Sequence, residues 1–515
     1  MAFTFEVRET DLLGRIGTIV ANGRKMETPC LLPVIHPVNQ AVGLGDLKAM
    51  GFRGLMTNSY ILYRRRKEES LRHGIHQLLG FEGMLMTDSG GYQALRYGEV
   101  DVSYSEIADF QSKMGSDLAV TLDRPTGYSA SRKFAKDTAE YSTHNALATL
   151  KEYGTSDTTW MGPVQGGLFS DILRKSTRSL VVGGFRFLAL GSPVQVMENY
   201  RYTELVRMIV ATRRAMPYST PLHLFGAGHP HVMAIAVALG CDTFDSASYV
   251  LFARKGRYMT EQGASTLREM NYLPCSCPVC VGTSVRELLG MDERERTKRL
   301  ATHNLYLLRK EVEACKEAIA EGRLWDLVEE RAAAHPSLHE AFLELTGQAK
   351  LLEPGTAAFK DKGLLIRGGP DERRPELAMA ASRLGEGLRR SSGIALLLTT
   401  NHSLPVSKLR FKKGATQRHA YDLYRLHPQL GLYPAELDFV YPFTQTVTSA
   451  PEPSRQEVVD ASRKLRRLGY ARILLATVDG AGSVTLSRTR SRPRSAAASP
   501  SPRSASSRPR APRRP

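Results

Sequence analysis

The sequence is poor in the features that would mark several common classes of protein. It holds 6 Cys and 2 Trp among 515 residues, and so few thiols exclude a scaffold held together by disulfides. No apolar run approaches the ~18 residues that a membrane-spanning helix needs, and the first residues lack the apolar stretch of a secretory signal. We therefore expect a soluble cytoplasmic protein with no membrane partner.

Acidic residues are also in short supply, and the resulting positive charge is unevenly distributed. The 52 Asp and Glu face 70 Lys and Arg, which leaves a formal net charge of +18. Residues 487–515 contain nine Arg and no acidic residue, so the rest of the chain carries +9. A basic body of this kind favours nucleic acid or another polyanion as partner. With 42% hydrophobic residues, the chain can build about two to four folded domains.

Short apolar segments that end in polar or glycine residues recur through the first 250 residues. Helix-like stretches separate most of them, at 105–114, 131–153, 201–216 and 231–239. Strands alternating with helices indicate a parallel sheet, and eight such units in ~250 residues have the size of a (β/α)8 TIM barrel. A doubly wound open sheet is the alternative at this point. The eight segments are 29–36, 54–59, 83–89, 117–123, 159–165, 185–192, 221–226 and 241–246.

A group of metal-ligating residues follows this repeated pattern. Cys275, Cys277 and Cys280 form a C-x-C-x-x-C motif in a Pro-rich turn, and His303 follows in a helix-like segment. Three thiolates and one imidazole complete a tetrahedral Zn²⁺ site with no open position. We therefore expect one structural zinc ion per chain. Three free buried thiols are the alternative.

Composition divides the chain into four parts. Residues 4–28 predict a polar β-hairpin ahead of the barrel, and strand-like segments at 394–398 and 437–441 predict a smaller C-terminal α/β domain with a helix-then-strand pattern at 454–478. The last part is almost entirely Arg, Pro, Ser and Ala, which predicts disorder. The predicted parts are 1–265 (catalytic barrel), 266–349 (zinc-binding helical subdomain), 350–479 (α/β domain) and 480–515 (disordered basic tail).

Polar residues stand at the predicted carboxyl ends of the barrel strands, where such barrels carry their chemistry. They include three carboxylates, Asp88, Asp123 and Asp245, and the amide of Gln165. A single Asp at a strand end could merely cap the next helix, but the set predicts acid/base or nucleophilic catalysis. Glycines after Asp88 and Gln165 would let a planar ligand approach the backbone closely.

Four motifs and the cysteine cluster resemble those of the tRNA-guanine transglycosylases, and the archaeal branch fits best. The resemblance covers about residues 1–350 and continues more weakly to about 478. It implies a (β/α)8 barrel with an inserted structural zinc site. The motifs are Thr87-Asp88-Ser89-Gly90-Gly91-Tyr92-Gln93, Val164-Gln165-Gly166-Gly167, Phe225-Gly226-Ala227-Gly228-His229-Pro230 and Phe244-Asp245-Ser246-Ala247-Ser248-Tyr249.

The resemblance implies exchange of guanine 15 in the tRNA D-loop for a 7-deazaguanine, in archaeosine biosynthesis. Asp245 resembles the nucleophile that attacks C1′ of the ribose, and Asp88 resembles the general acid/base. Which Asp takes which role stays open. Net retention at C1′ requires a covalent glycosyl-enzyme intermediate. Asp242 lies earlier in the same strand and is interpreted as structural.

The resemblance also implies a pocket for the base. Asp123 can accept hydrogen bonds from N1–H and the exocyclic amine of guanine, and Gln165 can bond on the O6 side. Backbone groups of residues 188–191 can read the C7 substituent, while Tyr92 and Phe225 would stack on the two faces of the base. The predicted substrate-binding residues are Ser89, Tyr92, Asp123, Gln165, Leu188, Ala189, Gly191 and Phe225.

One departure from the bacterial pattern bears on the substrate. Bacterial members carry a Glu just after the glycine that matches Gly191, and this chain has Ser192 there. An aminomethyl cation would lack a partner on being desolvated. The sequence therefore predicts 7-cyano-7-deazaguanine as the incoming base.

Other interpretations stay open at the level of the sequence. A catalytically inactive or archaeosine-synthase-like tRNA-binding paralogue would share the fold, and a metallohydrolase would need a metal with an open position.

No PUA module, which archaeal members usually carry, is recognised after residue 479. The tRNA could be held by a separate PUA-containing subunit or by the basic tail, unless the tail is a frameshift artefact. The basic run 64–67 could contact phosphates or form a solvated helix face. We expect a homodimer, as is frequent in the family.

Overall fold

The computed structural model describes residues 3–91, 102–399, 408–411, 421–444, 446–448, 452–478 and 483–488. These residues belong to two units. The first comprises Met1–Glu386 with Phe439–Ala450, and the second comprises Gly387–Asp438 with Pro451–Pro515. Among the described residues, every helix is too short or too polar to cross a membrane.

Three antiparallel strands begin the first unit: β1 (Thr4–Asp11), β2 (Gly14–Ala21) and β3 (Arg24–Thr28), in the order β1-β2-β3. The predicted β-hairpin over 4–28 therefore extends to a three-stranded sheet, and its middle strand is largely buried and not polar. β2 buries most of its residues, and its Ile19 and Ala21 pack with Met26 of β3 against the interior of the barrel. The apolar face of this small sheet therefore belongs to the same core as the interior of the barrel.

The central sheet of the first unit has eight parallel strands, in the order β4-β11-β10-β9-β8-β7-β6-β5. A bridge between Val34 and Met56, with a hydrogen bond from Ile35 N to Met56 O (2.8 Å), joins the two outer strands and closes the barrel. The predicted barrel, and all eight predicted segments, are confirmed. The strands are β4 (Cys30–Pro33), β5 (Gly54–Asn58), β6 (Met84–Asp88), β7 (Leu118–Val120), β8 (Thr159–Val164), β9 (Leu188–Leu190), β10 (Leu222–Leu224) and β11 (Thr243–Ser246).

The two faces of these strands are both buried, which is why the sequence shows short continuous apolar runs. Side chains such as Leu32, Met86 and Val120 fill the interior, so the barrel is a packed core that opens only at its carboxyl end. Helices cover the outside. They are α1 (Leu44–Ala49), α2 (Ser59–Leu79), α3 (Tyr104–Lys113), α4 (Arg132–Tyr153), α5 (Ser170–Val182), α6 (Val194–Glu198), α7 (Tyr202–Arg213), α8 (Pro230–Ala238) and α9 (Ser248–Arg254).

A hairpin and further helices follow the barrel within the first unit. The long α11 is capped by Asp292, whose side chain accepts from the N–H groups of Arg294 and Glu295, and the helix packs against α8 and α9. The elements are β12 (Arg257–Thr260), β13 (Gly263–Thr266), α10 (Val285–Gly290), α11 (Glu293–Ala320), α12 (Leu324–Ala332), α13 (Pro336–Thr346), α14 (Ala349–Leu352), β14 (Leu365–Ile366), α15 (Pro375–Gly387) and β19 (Val447–Thr448), which pairs with β14.

The predicted domain boundary at 350 differs from the division in the structure, where the first unit continues to Glu386. A buried lysine explains the difference. Lys360 Nζ donates to Asp11 Oδ1 (2.8 Å), Glu376 Oε1 (2.7 Å) and Gly322 O (2.8 Å). These ion pairs join the segment after 350 to the first strand of the chain.

The second unit is the expected α/β arrangement, with a mixed sheet in the order β16-β21-β20-β15-β17-β18. The predicted strand at 394–398 and the predicted helix-then-strand pattern at 454–478 are confirmed. The strand predicted at 437–441 is wrong, because Ala435–Phe439 forms a 3-10 helix. The elements are β15 (Ile394–Leu398), β16 (Arg410–Phe411), β17 (Asp422–His427), β18 (Gly431–Pro434), α16 (Arg455–Arg467), β20 (Arg472–Val478) and β21 (Ser483–Arg488).

β21 lies inside the segment 480–515 that the sequence predicts to be disordered. It pairs antiparallel with β20, and Val484, opposite Val478, is buried. Apolar residues alternate with polar ones over Ser483–Arg488, and this short run finds its partner strand immediately before it in the chain. Residues 489–515 lie outside the described part of the chain.

Candidate active site and metal centre

The predicted polar residues meet at the carboxyl end of the barrel. Asp88 ends β6, Gln165 directly follows β8, Asp245 lies in β11, and Asp123 follows β7 by three residues. Asp123, Gln165 and Asp245 are buried and expose 9%, 1% and 7% of their surface, whereas Asp88 is half-buried. At this open carboxyl end of the barrel, its mouth, the negative charges of Asp123 and Asp245 raise the cost of ionising Asp88.

Asp88 is placed to hold a proton near neutral pH. Burial, and then the negative charges of Asp123 and Asp245, raise the pKa of Asp88 to about 7, against the opposing effect of the Gly90 and Ser89 N–H groups. The side chain of Asn58 donates to Asp88 Oδ2 (3.1 Å) while its oxygen caps α2 at Ile61 N (2.9 Å). A carboxyl group with this pKa can both give and take a proton.

Asp123 and Gln165 are hydrogen-bonded to each other and form a second polar surface of the site, called the wall below. Gln165 Nε2 donates to Asp123 Oδ2 (2.6 Å), and burial raises the pKa of Asp123 to about 6 although this hydrogen bond opposes the shift. Gln165 Oε1 accepts from Ser192 Oγ (2.8 Å), Thr126 N (3.2 Å) and Thr126 Oγ1 (3.2 Å). These donors fix the amide with its nitrogen toward Asp123. The sequence indicated neither Thr126 nor the contact of Ser192.

Two glycines let the backbone approach these groups. A Cβ at Gly91 would lie 2.1 Å from Asp123 Oδ1, and a Cβ at Gly191 would lie 2.3 Å from Gln165 Nε2. Any side chain there would displace the wall of the site. Gly191 N also donates to Val164 O (2.9 Å), which holds the loop after β9 against β8.

Asp245 makes two close polar contacts through a single carboxylate oxygen. His223 Nε2 lies 3.1 Å from Asp245 Oδ1, and Gly226 N donates to the same atom at 2.8 Å. His223 was missed by the sequence analysis. The feature of the sequence that could have indicated it is a histidine in the middle of the apolar segment 221–226.

The other predicted binding residues are placed as follows. Phe225 is partly buried and packs edge-on against His223, with 4.8 Å between ring centroids. Ser89 is buried and donates to Thr121 O (3.3 Å). Ala189 faces the barrel interior, whereas the Leu188 side chain packs in the outer cluster, so only its backbone can face the site. Tyr92 lies outside the described residues.

The four predicted metal ligands converge. The ligand atoms of Cys275, Cys277, Cys280 and His303 all lie within 4.8 Å of one another, and His303 Nδ1 is 3.5 Å from the sulfurs of Cys277 and Cys280. His303 Nε2 donates to Met259 O (2.9 Å), which leaves Nδ1 free to ligate. A closed set of three sulfurs and one nitrogen can hold a metal ion and fits tetrahedral Zn²⁺ in a structural role.

The fold and the site define an enzyme built on a (β/α)8 barrel, with carboxylates at the strand ends and a Cys3His cluster that could hold a metal ion. Residues 11–337 match the family described as queuine tRNA-ribosyltransferase (TGT). The chain therefore belongs to this TGT family of glycosyltransferases, in agreement with the resemblance seen in the motifs.

Similar proteins place the chain in the archaeal branch of the family. Proteins named tRNA-guanine(15) transglycosylase from Sulfolobus acidocaldarius, Aeropyrum pernix and Methanosarcina mazei are 36%, 38% and 39% identical to it. The alignments span 90%, 86% and 88% of this chain and 92%, 87% and 89% of those proteins. The similarity thus extends well beyond the barrel.

Proposed function

We propose that this enzyme replaces guanine 15 in the D-loop of tRNA with 7-cyano-7-deazaguanine, in archaeosine biosynthesis, through a covalent ribosyl-aspartate intermediate. The observation that carries the proposal is the pairing of Asp88 and Asp245 in one buried mouth, with the pKa of Asp88 near 7. The name shared by the relatives supports position 15 as the target.

The surroundings of the two carboxylates support different roles for them. Asp245 Oδ1 lies within hydrogen-bond distance of His223 Nε2 and Gly226 N, and these contacts hold the carboxylate in place for attack on C1′. Asp88, with its raised pKa, can protonate the departing guanine and take the proton from the incoming base. Attack by Asp245 on C1′ followed by displacement of Asp245 inverts the centre twice, which gives net retention.

The wall formed by Asp123 and Gln165 suits a guanine-like edge. Asp123 can accept from N1–H and the exocyclic amine, and the second hydrogen of Gln165 Nε2 can reach O6. The target nucleotide must leave its stack to enter this mouth. Phe225 supports one face of the base, and Tyr92 is proposed for the other.

The surroundings of Ser192 support a neutral substituent on the incoming base. Its hydroxyl donates to Gln165 Oε1 and accepts from Thr126 N (2.9 Å), so it is already engaged in the wall of the site. A cationic aminomethyl group would find no carboxylate at this position. The backbone of residues 188–191 is proposed to contact the cyano group.

The metal cluster is proposed to hold one structural Zn²⁺, which would tie the cysteine turn to α11 without taking part in base exchange. A cytoplasmic location, a homodimer and a separate PUA-containing subunit stay predictions from the sequence. The alternative function is a catalytically inactive or archaeosine-synthase-like tRNA-binding paralogue.

Exchange of labelled guanine into unmodified tRNA tests the proposal. We expect the unmodified protein to exchange guanine, Asp245→Asn to lose exchange while binding tRNA normally, and the surface control Asp171→Asn to keep both. Absence of exchange by the unmodified protein would favour the inactive paralogue. Offering both bases tests the substrate: equal rates with the cyano and aminomethyl bases would overturn the proposed preference.

A further inference from the structure

The contacts of Asp245 make its two carboxylate oxygens unequal. Oδ1 faces His223 Nε2 and Gly226 N, and among the described residues no hydrogen bond reaches Oδ2. His223 is fully buried and Asp245 nearly so. One oxygen is therefore held inside the barrel, and the other is left for a reacting atom.

Thr243 is the second hydrogen-bond partner of the His223 ring. The two residues stand opposite each other in the register of β10 and β11, and His223 Nδ1 lies 2.8 Å from Thr243 Oγ1. With the Thr243 hydroxyl donating to Nδ1, the ring proton lies on Nε2 and points at Asp245. The opposite tautomer would leave two acceptors facing each other at 3.1 Å, which is unfavourable in a buried site.

We infer that His223 is a positioning residue for base exchange: it keeps Oδ1 turned inward so that Oδ2 attacks C1′, and it stabilises the carboxylate when that oxygen leaves again. This inference rests on the proposed function. In the first step the Oδ2–C1′ bond forms as the bond from C1′ to guanine breaks, and Asp88 gives its proton to guanine. In the second step the incoming base bonds to C1′, the Oδ2–C1′ bond breaks, and Asp88 regains a proton from that base.

The second step is where His223 should matter most. Hydrogen bonds to a carboxylate are stronger than those to the carbonyl of an ester. The donor on Oδ1 therefore gains strength as Asp245 departs and regains its charge, and it lowers the barrier to release. Loss of this donor should prolong the life of the covalent intermediate, an effect that a purely structural role would not produce.

Two substitutions separate the two sides of the imidazole. His223→Gln carries an amide nitrogen at the reach of Nε2 and keeps a donor for Asp245. His223→Asn is matched in chemistry but too short for that contact, and its amide reaches only the Thr243 side. Thr243→Val keeps the shape of its side chain and removes the hydroxyl that supports this tautomer through Nδ1.

The experiment traps the covalent complex between the full chain and tRNA by rapid denaturation and follows its decay after excess guanine is added. We expect decay to slow about 10- to 100-fold in His223→Asn, which is the range for losing one hydrogen bond to a charged group. His223→Gln should stay within a few-fold of the unmodified protein, and Thr243→Val should lie between the two. The KM for guanine, tRNA affinity and unfolding temperature should change little.

Two results would overturn the inference. One is decay in His223→Asn at the rate of the unmodified protein. The other is equal slowing in His223→Gln and His223→Asn with a parallel fall in unfolding temperature, which would mean that the ring only fills space. If the unmodified protein exchanges no guanine, the proposed function itself fails, and this outcome is distinct because it precedes any comparison of variants.

Discussion

Asp242 and Asp245 lie three residues apart, and we predict that the same Asp→Asn change affects them in opposite ways. Asp242 points away from the active site. Its Oδ1 accepts from Arg15 Nε (2.9 Å), and its Oδ2 accepts from Leu222 N (2.8 Å) and lies 3.3 Å from Arg213 Nη2. All three charged side chains are buried, so Asp242 neutralises two guanidinium groups that have no access to water.

The cost of removing this charge can be estimated from the contacts. Burial and the charge of Arg15 lower the pKa of Arg213 to about 10, and Asp242 opposes that shift. Removing one partner of a buried ion pair costs about 3–5 kcal/mol, against about 5–15 kcal/mol for the stability of a typical domain. At about 2.1 cal/mol/K per residue, a first unit of about 400 residues would lose about 4–6 °C in Tm.

Thermal unfolding and labelled-guanine exchange at 25 °C measure the two effects separately. Asp242→Asn should unfold at a lower temperature and keep its exchange rate per folded molecule, whereas Asp245→Asn should keep its Tm and lose exchange. Asp171→Asn, which removes an exposed partner of Arg132, should shift Tm by less than ~1 °C. An unchanged Tm in Asp242→Asn, or loss of exchange at full stability, would refute a purely structural role for Asp242.

Further predictions concern pH, metal and substrate. The folded state raises the pKa of Asp88 from 3.8 to about 7, so this carboxyl group binds its proton more tightly when the protein is folded. The stability of the folded state therefore falls as pH rises between these values. Asp88→Asn should raise Tm more at pH 8 than at pH 4, and equal shifts in Tm would contradict the burial argument. Cys277→Ser should lose the bound zinc and lower Tm, measured by metal analysis and calorimetry, whereas full zinc retention would contradict the ligand assignment. Ser192→Glu should increase use of the aminomethyl base relative to the cyano base in competition assays; an unchanged ratio would argue against a role for this position.

Much of the barrel and its mouth could be predicted from local pattern. A parallel strand covered on both faces must be short and apolar, so each of the eight strands left a recognisable run. A residue at the end of such a run reaches the mouth whatever its neighbours are, and this is why Asp88, Asp245 and Gln165 were found. The cluster of Cys275, Cys277, Cys280 and His303, which could hold a metal ion, was predicted for a similar reason, since three of its members lie within one short turn.

The contacts that these residues make with distant parts of the chain could not be predicted from local sequence patterns. His223 meets Asp245 only because β10 and β11 are neighbours in the closed sheet, and Lys360 meets Asp11 across 349 positions of the chain. The same dependence on a distant partner holds for the segment after 350, which Lys360 joins to the first strand. The strand β21 was missed for another reason. Its partner strand β20 lies nearby in the chain, but its own composition resembles that of the Arg- and Ser-rich segment that follows it.

The sequence by itself determined the order of strands and helices, the residues that stand at the strand ends and the composition of the metal cluster. These features depend on short-range periodicity and on residue chemistry, which the chain carries locally. Only the tertiary structure decided which carboxylate is held by His223, which is crowded by like charges and which neutralises buried arginines. Hydrogen bonding, burial and charge proximity act through space, so the distinct chemistry of Asp88, Asp242 and Asp245 emerges only when the barrel closes.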